Sequence, residues 1–207
     1  MSYTANYTDE HGNTTTVSIS EEESREALRN DYEALIKIYN PRYVRIERKR
    51  AQEGEALHLA ITVKAPSHYL IDNNDKTPKA CQSMTAEIIA FPGYPLMSVR
   101  AFYAPDHYLA SPNVFRSGGA CIDRWVVFTS SLLTVAEKLI MDMIHNPVVT
   151  RYDSMANPTL EEWHKAGVAR GEFPTIRPQL LYAPAVPLPE RRQRTAKTPP
   201  PLPRRRT

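Results

Sequence analysis

The stretch Ser111-Pro112-Asn113-Val114-Phe115-Arg116-Ser117-Gly118-Gly119-Ala120-Cys121-Ile122-Asp123, with Trp125 just beyond it, follows neither helical nor strand periodicity. It belongs to a longer aperiodic segment, Ala104 to Thr129, that also contains Pro105. Long irregular loops inside compact domains are usually functional or disordered. One thiol stands in this loop, Cys121, shortly after Gly118-Gly119. The other cysteine, Cys81, lies 40 residues upstream, and neither has a Cys or His pair at ligand spacing, which disfavours a zinc site and a disulfide framework. No Gly-x-Ser-x-Gly surrounds Ser111, so the candidate nucleophile of the loop is Cys121.

Periodicity returns on both sides. Upstream, Met84 to Phe91 and Met97 to Tyr103 read as strands joined through Pro92-Gly93. Before them Leu57, Leu59, Ile61 and Val63 alternate with His58, Ala60 and Thr62, and Val44 and Ile46 alternate with Arg45 and Glu47 across a turn at Gly54. The polar run KAPSHYLIDNNDKTPKA interrupts this four-stranded antiparallel meander, and Cys81 at the edge of a strand reads as a structural thiol. Ser20 and Glu23 have capping-box spacing, after which Leu28, Tyr32, Leu35, Ile36 and Tyr39 share one helical face until Pro41. Downstream of the loop, Leu132, Val135, Ala136, Leu139, Ile140 and Met143 predict a second amphipathic helix closed by His145 and Pro147. A shorter helix, Leu160 to Val168, follows Asn157-Pro158. Helix, antiparallel strands, loop, then helices is an α+β order with the helices segregated from the sheet.

The 207 residues are 42% hydrophobic, enough for one real core. Residues 1–19, rich in Thr, Ser and Asn, read as a flexible arm or weak hairpin; 20–170 is the expected domain; 171–207 is expected to be a disordered basic Pro/Arg-rich tail. From Pro174 onward the chain has 9 of its 18 prolines and eight basic residues against Glu190 alone, a charge of +7, whereas the remainder carries −4. Any attraction to an acidic partner therefore belongs to the tail. Pro200-Pro201-Leu202-Pro203-Arg204-Arg205 fits a Pro-x-x-Pro-x-Arg ligand, a pattern common by chance in such composition. No stretch approaches the roughly 20 apolar residues of a membrane span. The polar, acidic start lacks the features of a secretory signal, so a cytoplasmic chain is expected.

The loop resembles the active-site segment of ubiquitin-conjugating enzymes, in which a His-Pro-Asn tripeptide precedes a Gly-containing turn and the catalytic Cys follows the Asn by eight residues. Asn113 to Cys121 has that spacing. Tyr94-Pro95 is similar to the family's Tyr-Pro before its fourth strand, Cys121-Ile122-Asp123 to its Cys-Leu-Asp, and Leu132 to Ile144 to the helix after the site. The resemblance covers roughly Ser20 to Pro147 and implies the ubiquitin-conjugating fold. There are departures: Ser111 stands where the family has His, Trp125 comes early, and the loop before Ser111 is longer. Such departures suit the divergent bacterial members of antiviral and ubiquitin-like operons.

The resemblance implies an enzyme without cofactor or metal, a carrier that takes a ubiquitin-like protein from an E1-like activating enzyme as a thioester on Cys121 and passes it to a lysine of a target protein. One accessible thiol suffices for such a transfer. Asn113 would serve the oxyanion or the loop that holds it, and Asp123 would orient the lysine or help take its proton. Asp153 is a further candidate, at the gate of the site. Two alternatives share the fold: conjugation of a nucleotidyltransferase-type protein in a defence operon, and a non-catalytic docking module.

Overall fold

Ser20 begins the first helix as its spacing predicts: its Oγ accepts the Glu23 N–H at 3.2 Å while the Glu23 carboxylate accepts the Ser20 N–H at 2.8 Å. The helix, α1, runs Glu21–Ile38 and buries Ser24, Leu28 and Leu35, with Tyr39 just past its end. Ile36, expected on that face, is exposed. The protein is described by a computed structural model that covers residues 1–8, 11–71, 77–97, 99–104, 107–115, 117–121, 131–150, 152–153 and 155–184.

The central sheet is the expected meander. Strands β3 (Val44–Arg48), β4 (Leu57–Val63), β7 (Met84–Ala90) and β8 (Arg100–Tyr103) pair in that order, all antiparallel. Register sets Leu59 opposite Ile88 and Ile61 opposite Ala86, so every second residue of the middle strands faces one core. Against it lies the second helix, α2 (Leu132–Met143), which packs on α1, β4 and β7. Eight of its residues are buried, seven apolar and the eighth Asp142. It closes in a Schellman motif: His145 takes the left-handed conformation (φ 56°), its N–H donating to the Asp142 carbonyl at 2.8 Å and that of Asn146 to Met141 at 3.0 Å.

Three segments depart from the sequence expectation. Of the two readings of residues 1–19, arm or hairpin, the structure has the hairpin: β1 (Ser2–Thr8) and β2 (Thr14–Ser20) pair antiparallel in seven-residue register, so the first element is a strand pair and not an arm, and Thr and Tyr in extended backbone supply the strand preference that mere polarity hides. The polar interruption contains β5 (Ser67–Leu70) and β6 (Lys79–Cys81), which join β9 (Tyr108–Leu109) in a second sheet of order β6-β5-β9. Strands this short leave almost no alternation to read.

The largest departure is at the C-terminal end. A third helix, α3 (Glu161–Ala169), follows a 3-10 turn at Pro158–Leu160, as expected, but packing continues beyond residue 171. Phe173 and Leu181 are buried, and Ile176 and Tyr182 pack on the main core. Backbone bonds tie Thr175 to Ile144 (2.9 Å), Asn40 to Leu181 (2.8 Å) and Ala183 to Ile38 (2.8 Å). The described part of the tail, through Pro184, is thus a strap across the ends of α1 and α2. Prolines at 174 and 178 hold it extended or 3-10, so its apolar residues dock without any period. The basic run from Arg191 onward lies outside the described residues.

Candidate active site

The small sheet delivers the chain into the loop, since the Ala110 N–H donates to the His68 carbonyl at 2.9 Å. From Ser111 to Cys121 the backbone folds back on itself. Val114 bridges Ala120, the Phe115 N–H donates to the Gly119 carbonyl and the Gly118 N–H to the Phe115 carbonyl, each at 2.8 Å, and Gly119 bridges Phe102 on β8. Gly118 makes the reversal at φ 84°, where a Cβ would stand 2.6 Å from the Tyr108 ring and 3.0 Å from the Tyr103 carbonyl. Only glycine meets both demands. The turn's return limb is then fixed to the sheet by the Ala120 N–H on the Ala101 carbonyl and to its own start by the Cys121 N–H on the Asn113 carbonyl, at 2.9 and 2.7 Å.

Cys121 is half-buried and unpaired with any other sulfur. It shares a small depression with Asn113 on its own loop and with Val135, Lys138, Leu139 and Asp142 on α2. Cys81, by contrast, sits on β6 against the main core, its thiol pushed up by burial. Both thiols are half-buried, but Cys121 lines the small depression against α2 whereas Cys81 packs on the main core.

Beneath the loop lies a polar network that the sequence pattern did not reveal. The Ser111 hydroxyl, fully buried, donates to Asp142 Oδ1 at 2.6 Å and accepts the Asn113 N–H at 3.1 Å. Asn113 Nδ2 donates to the same Oδ1 at 3.0 Å and to the Val149 carbonyl at 3.3 Å. The amide is thus turned inward, onto the helix. Burial pushes the Asp142 carboxyl up to about 6, against the pull of the Ser111 and Asn113 bonds and of Lys138. Asp142 occurs on the helix among Met141, Met143 and Ile144, where no motif marks it. Its only sequence signal is a carboxylate on an otherwise apolar face.

A second buried cluster braces the loop from outside. His68 of β5, His145 and His164 gather with Trp163 and Phe173; the His68 Nδ1 to His145 Nε2 distance is 3.4 Å, and the Tyr152 hydroxyl meets His164 Nδ1 at 2.7 Å. Burial holds His145 well below its ordinary value and His164 down to about 4, so both rings are neutral at physiological pH. This cluster seats α3, and the segment before α3 reaches the site: the Ala156 and Asn157 N–H groups both donate to the Pro112 carbonyl at 2.9 Å. Asp153 is exposed on that segment. Asp123 and Trp125 lie outside the described residues. Among the described residues, no three side chains are arranged to hold a metal ion and no helix is long and apolar enough to cross a membrane.

No family model matches the chain, and no curated protein matches it. Among solved structures, S. cerevisiae Ubc12 is similar over 77% of this chain and 84% of its own, with 13% identity and a TM-score of 0.46.

Proposed function

We propose that the chain is a ubiquitin-conjugating-like carrier with Cys121 as its acyl-bearing residue. The observation that carries the reading is the setting of that thiol: half-buried, lining a small depression against α2, on a backbone held by the Asn113 carbonyl and the β8 edge. The order of helix, four-stranded meander, site loop and following helices accords with it.

In the proposed reaction the Cys121 thiolate attacks the thioester carbonyl of a ubiquitin-like protein borne by an E1-like enzyme. The tetrahedral oxyanion collapses with expulsion of the donor's thiolate. A lysine amine of a target then attacks the new thioester, gives up a proton, and the Cys121 thiolate leaves. Attack at an accessible thioester needs no metal and no neighbouring His, because the leaving thiolate is already a good one. Asn113, with its amide bonded to Asp142 and Val149, serves by holding the loop. Asp123 is proposed as the group that orients or deprotonates the amine.

The test is incubation of the chain with its activating enzyme, ATP and the ubiquitin-like protein, followed by a non-reducing gel. A band shift abolished by dithiothreitol supports the carrier. Its absence, with activating enzyme that charges itself, favours a docking module of the same fold.

A further inference from the structure

A carboxylate inside a helix whose other buried residues are all apolar calls for a physical reason. Burying a charge costs several kcal/mol unless bonded groups offset it, and an apolar side chain in the same place would avoid that cost. What Asp142 does with its charge is specific. Its Oδ1 takes both loop donors, Ser111 Oγ at 2.6 Å and Asn113 Nδ2 at 3.0 Å, and the carbonyl of that same Asn113 receives the Cys121 N–H at 2.7 Å. Three bonds therefore connect the last turn of α2 to the backbone of the thiol.

We propose that Asp142 is the positioning residue of the Cys121 loop, a buried anion that holds Asn113 in place and through it the backbone that presents the thiol. The inference deepens the carrier reading and takes Cys121 as the acyl-bearing group. Lys138 acts on the Asp142 carboxyl from one turn earlier on α2 and favours the ionised form, Tyr103 faces it from β8 with a buried hydroxyl that has no hydrogen-bond partner among the described residues, and Cys121 lies across the depression. The His145 N–H donates to the Asp142 backbone carbonyl and not to its carboxylate, and the His145 ring belongs to the cluster with Trp163 and Phe173.

Ionisation has two opposed effects here. The charged carboxylate makes charge-assisted bonds to Ser111 and Asn113, roughly twice as strong as neutral ones, so the loop is held more firmly. The same charge lowers the stability of the whole fold, because burial resists it. As the carboxyl ionises, near pH 6, the loop should tighten while the protein as a whole becomes less stable. A residue that merely fills space or supports the fold would move both quantities in one direction.

The experiment is amide hydrogen exchange on the full chain, corrected for intrinsic rates and read at the Cys121 N–H, with the Ile61 N–H of β4 as reference. In the wild type, protection at Cys121 should rise about tenfold between about pH 5 and about pH 7.5, corresponding to about 1.4 kcal/mol. Asp142→Asn keeps an acceptor of the same shape without charge; its protection at Cys121 should be low and flat with pH, and its protection at Ile61, which follows the stability of the whole fold, should lack the fall with rising pH that the wild type shows there. Asp142→Ala should lower protection further. Wild type and Asp142→Asn with the same pH-independent protection at Cys121, or wild-type protection at Cys121 and Ile61 that moves in the same direction with pH, would overturn the proposal. Exchange is read on the uncharged protein, so a chain that never forms a thioester would refute the carrier reading while the exchange result still decides this one.

Discussion

Replacing Asp142 by Asn tests the buried carboxylate in global stability as well as locally, and the size of the effect follows from its surroundings. The carboxyl is 3% exposed and titrates at about 6 in the folded protein, against 3.8 for an unperturbed Asp. Below about pH 4 it is protonated in both states, and its contribution to stability is complete. As pH rises the unfolded chain releases the proton first, the native state last, so stability is lost progressively until the folded group has also ionised, above about pH 7. Two units of displacement amount to about 3 kcal/mol, of which roughly half falls between about pH 5 and about pH 7.5. The amide variant has no such titration. Urea unfolding of both proteins at those two pH values should therefore show the variant gaining about 1.5 kcal/mol on the wild type at the higher pH, a relative midpoint shift of about 0.5 to 1 M for an ordinary m-value. The comparison across pH cancels the fixed cost of placing an amide N–H2 in the same site. A difference between the two proteins that stays constant with pH would refute a raised carboxyl at Asp142 and with it the opposed effects on loop and fold.

Other parts of the structure predict separate outcomes. Leu181→Ala, at a fully buried position, should cost about 2 to 5 kcal/mol, and truncation after Gly171 should lower the melting temperature still more, since it removes Phe173, Leu181 and their backbone ties as well; a truncated chain that melts like the full one would return the boundary to residue 171. Gly118→Ala places a Cβ against Tyr108 and the Tyr103 carbonyl at positive φ, so it should slow transfer from Cys121 while far-ultraviolet circular dichroism is retained, and unchanged single-turnover rates would show that the reversal tolerates a side chain. Asn113→Ala removes the amide that bonds Asp142 and Val149 and should permit charging yet slow discharge to lysine; equal rates of both steps would reduce Asn113 to a turn residue. Removing residues 185–207, with their basic surplus, should weaken salt-sensitive binding to an acidic protein surface and leave the melting temperature unchanged.

What was legible in the sequence is what repeats. The capping box at Ser20, the alternation of Leu57 to Val63, and the helical spacing from Leu132 to Met143 each recur over enough residues to outweigh local accident, and each element stands where its pattern put it. The loop proposed as the site was singled out by a different route, from an aperiodic segment with a Cys after paired glycines. Three kinds of feature were not. Leu181 and Phe173 dock through extended and 3-10 backbone broken by prolines, which leaves no period to detect. Tyr108–Leu109 is too short to alternate, yet it joins the small sheet just before the loop. Asp142 and Ser111 meet across 31 residues, and nothing local to either announces a buried bond of 2.6 Å. Chemistry that depends on one residue type in one place could be proposed from sequence, whereas the support beneath it, made of residues from separate elements, needed the fold.

Cys121, and no other residue, is proposed to carry the acyl group. The most direct test is intact-mass and peptide mass spectrometry of the chain after reaction with its activating enzyme, ATP and the ubiquitin-like protein, for the wild type, Cys121→Ser and Cys81→Ser. A reducible adduct on the peptide containing Cys121, retained in Cys81→Ser and replaced in Cys121→Ser by no adduct or by a dithiothreitol-resistant ester, is the predicted result. A reducible adduct that survives in Cys121→Ser, or one lost in Cys81→Ser with the fold intact, would contradict it.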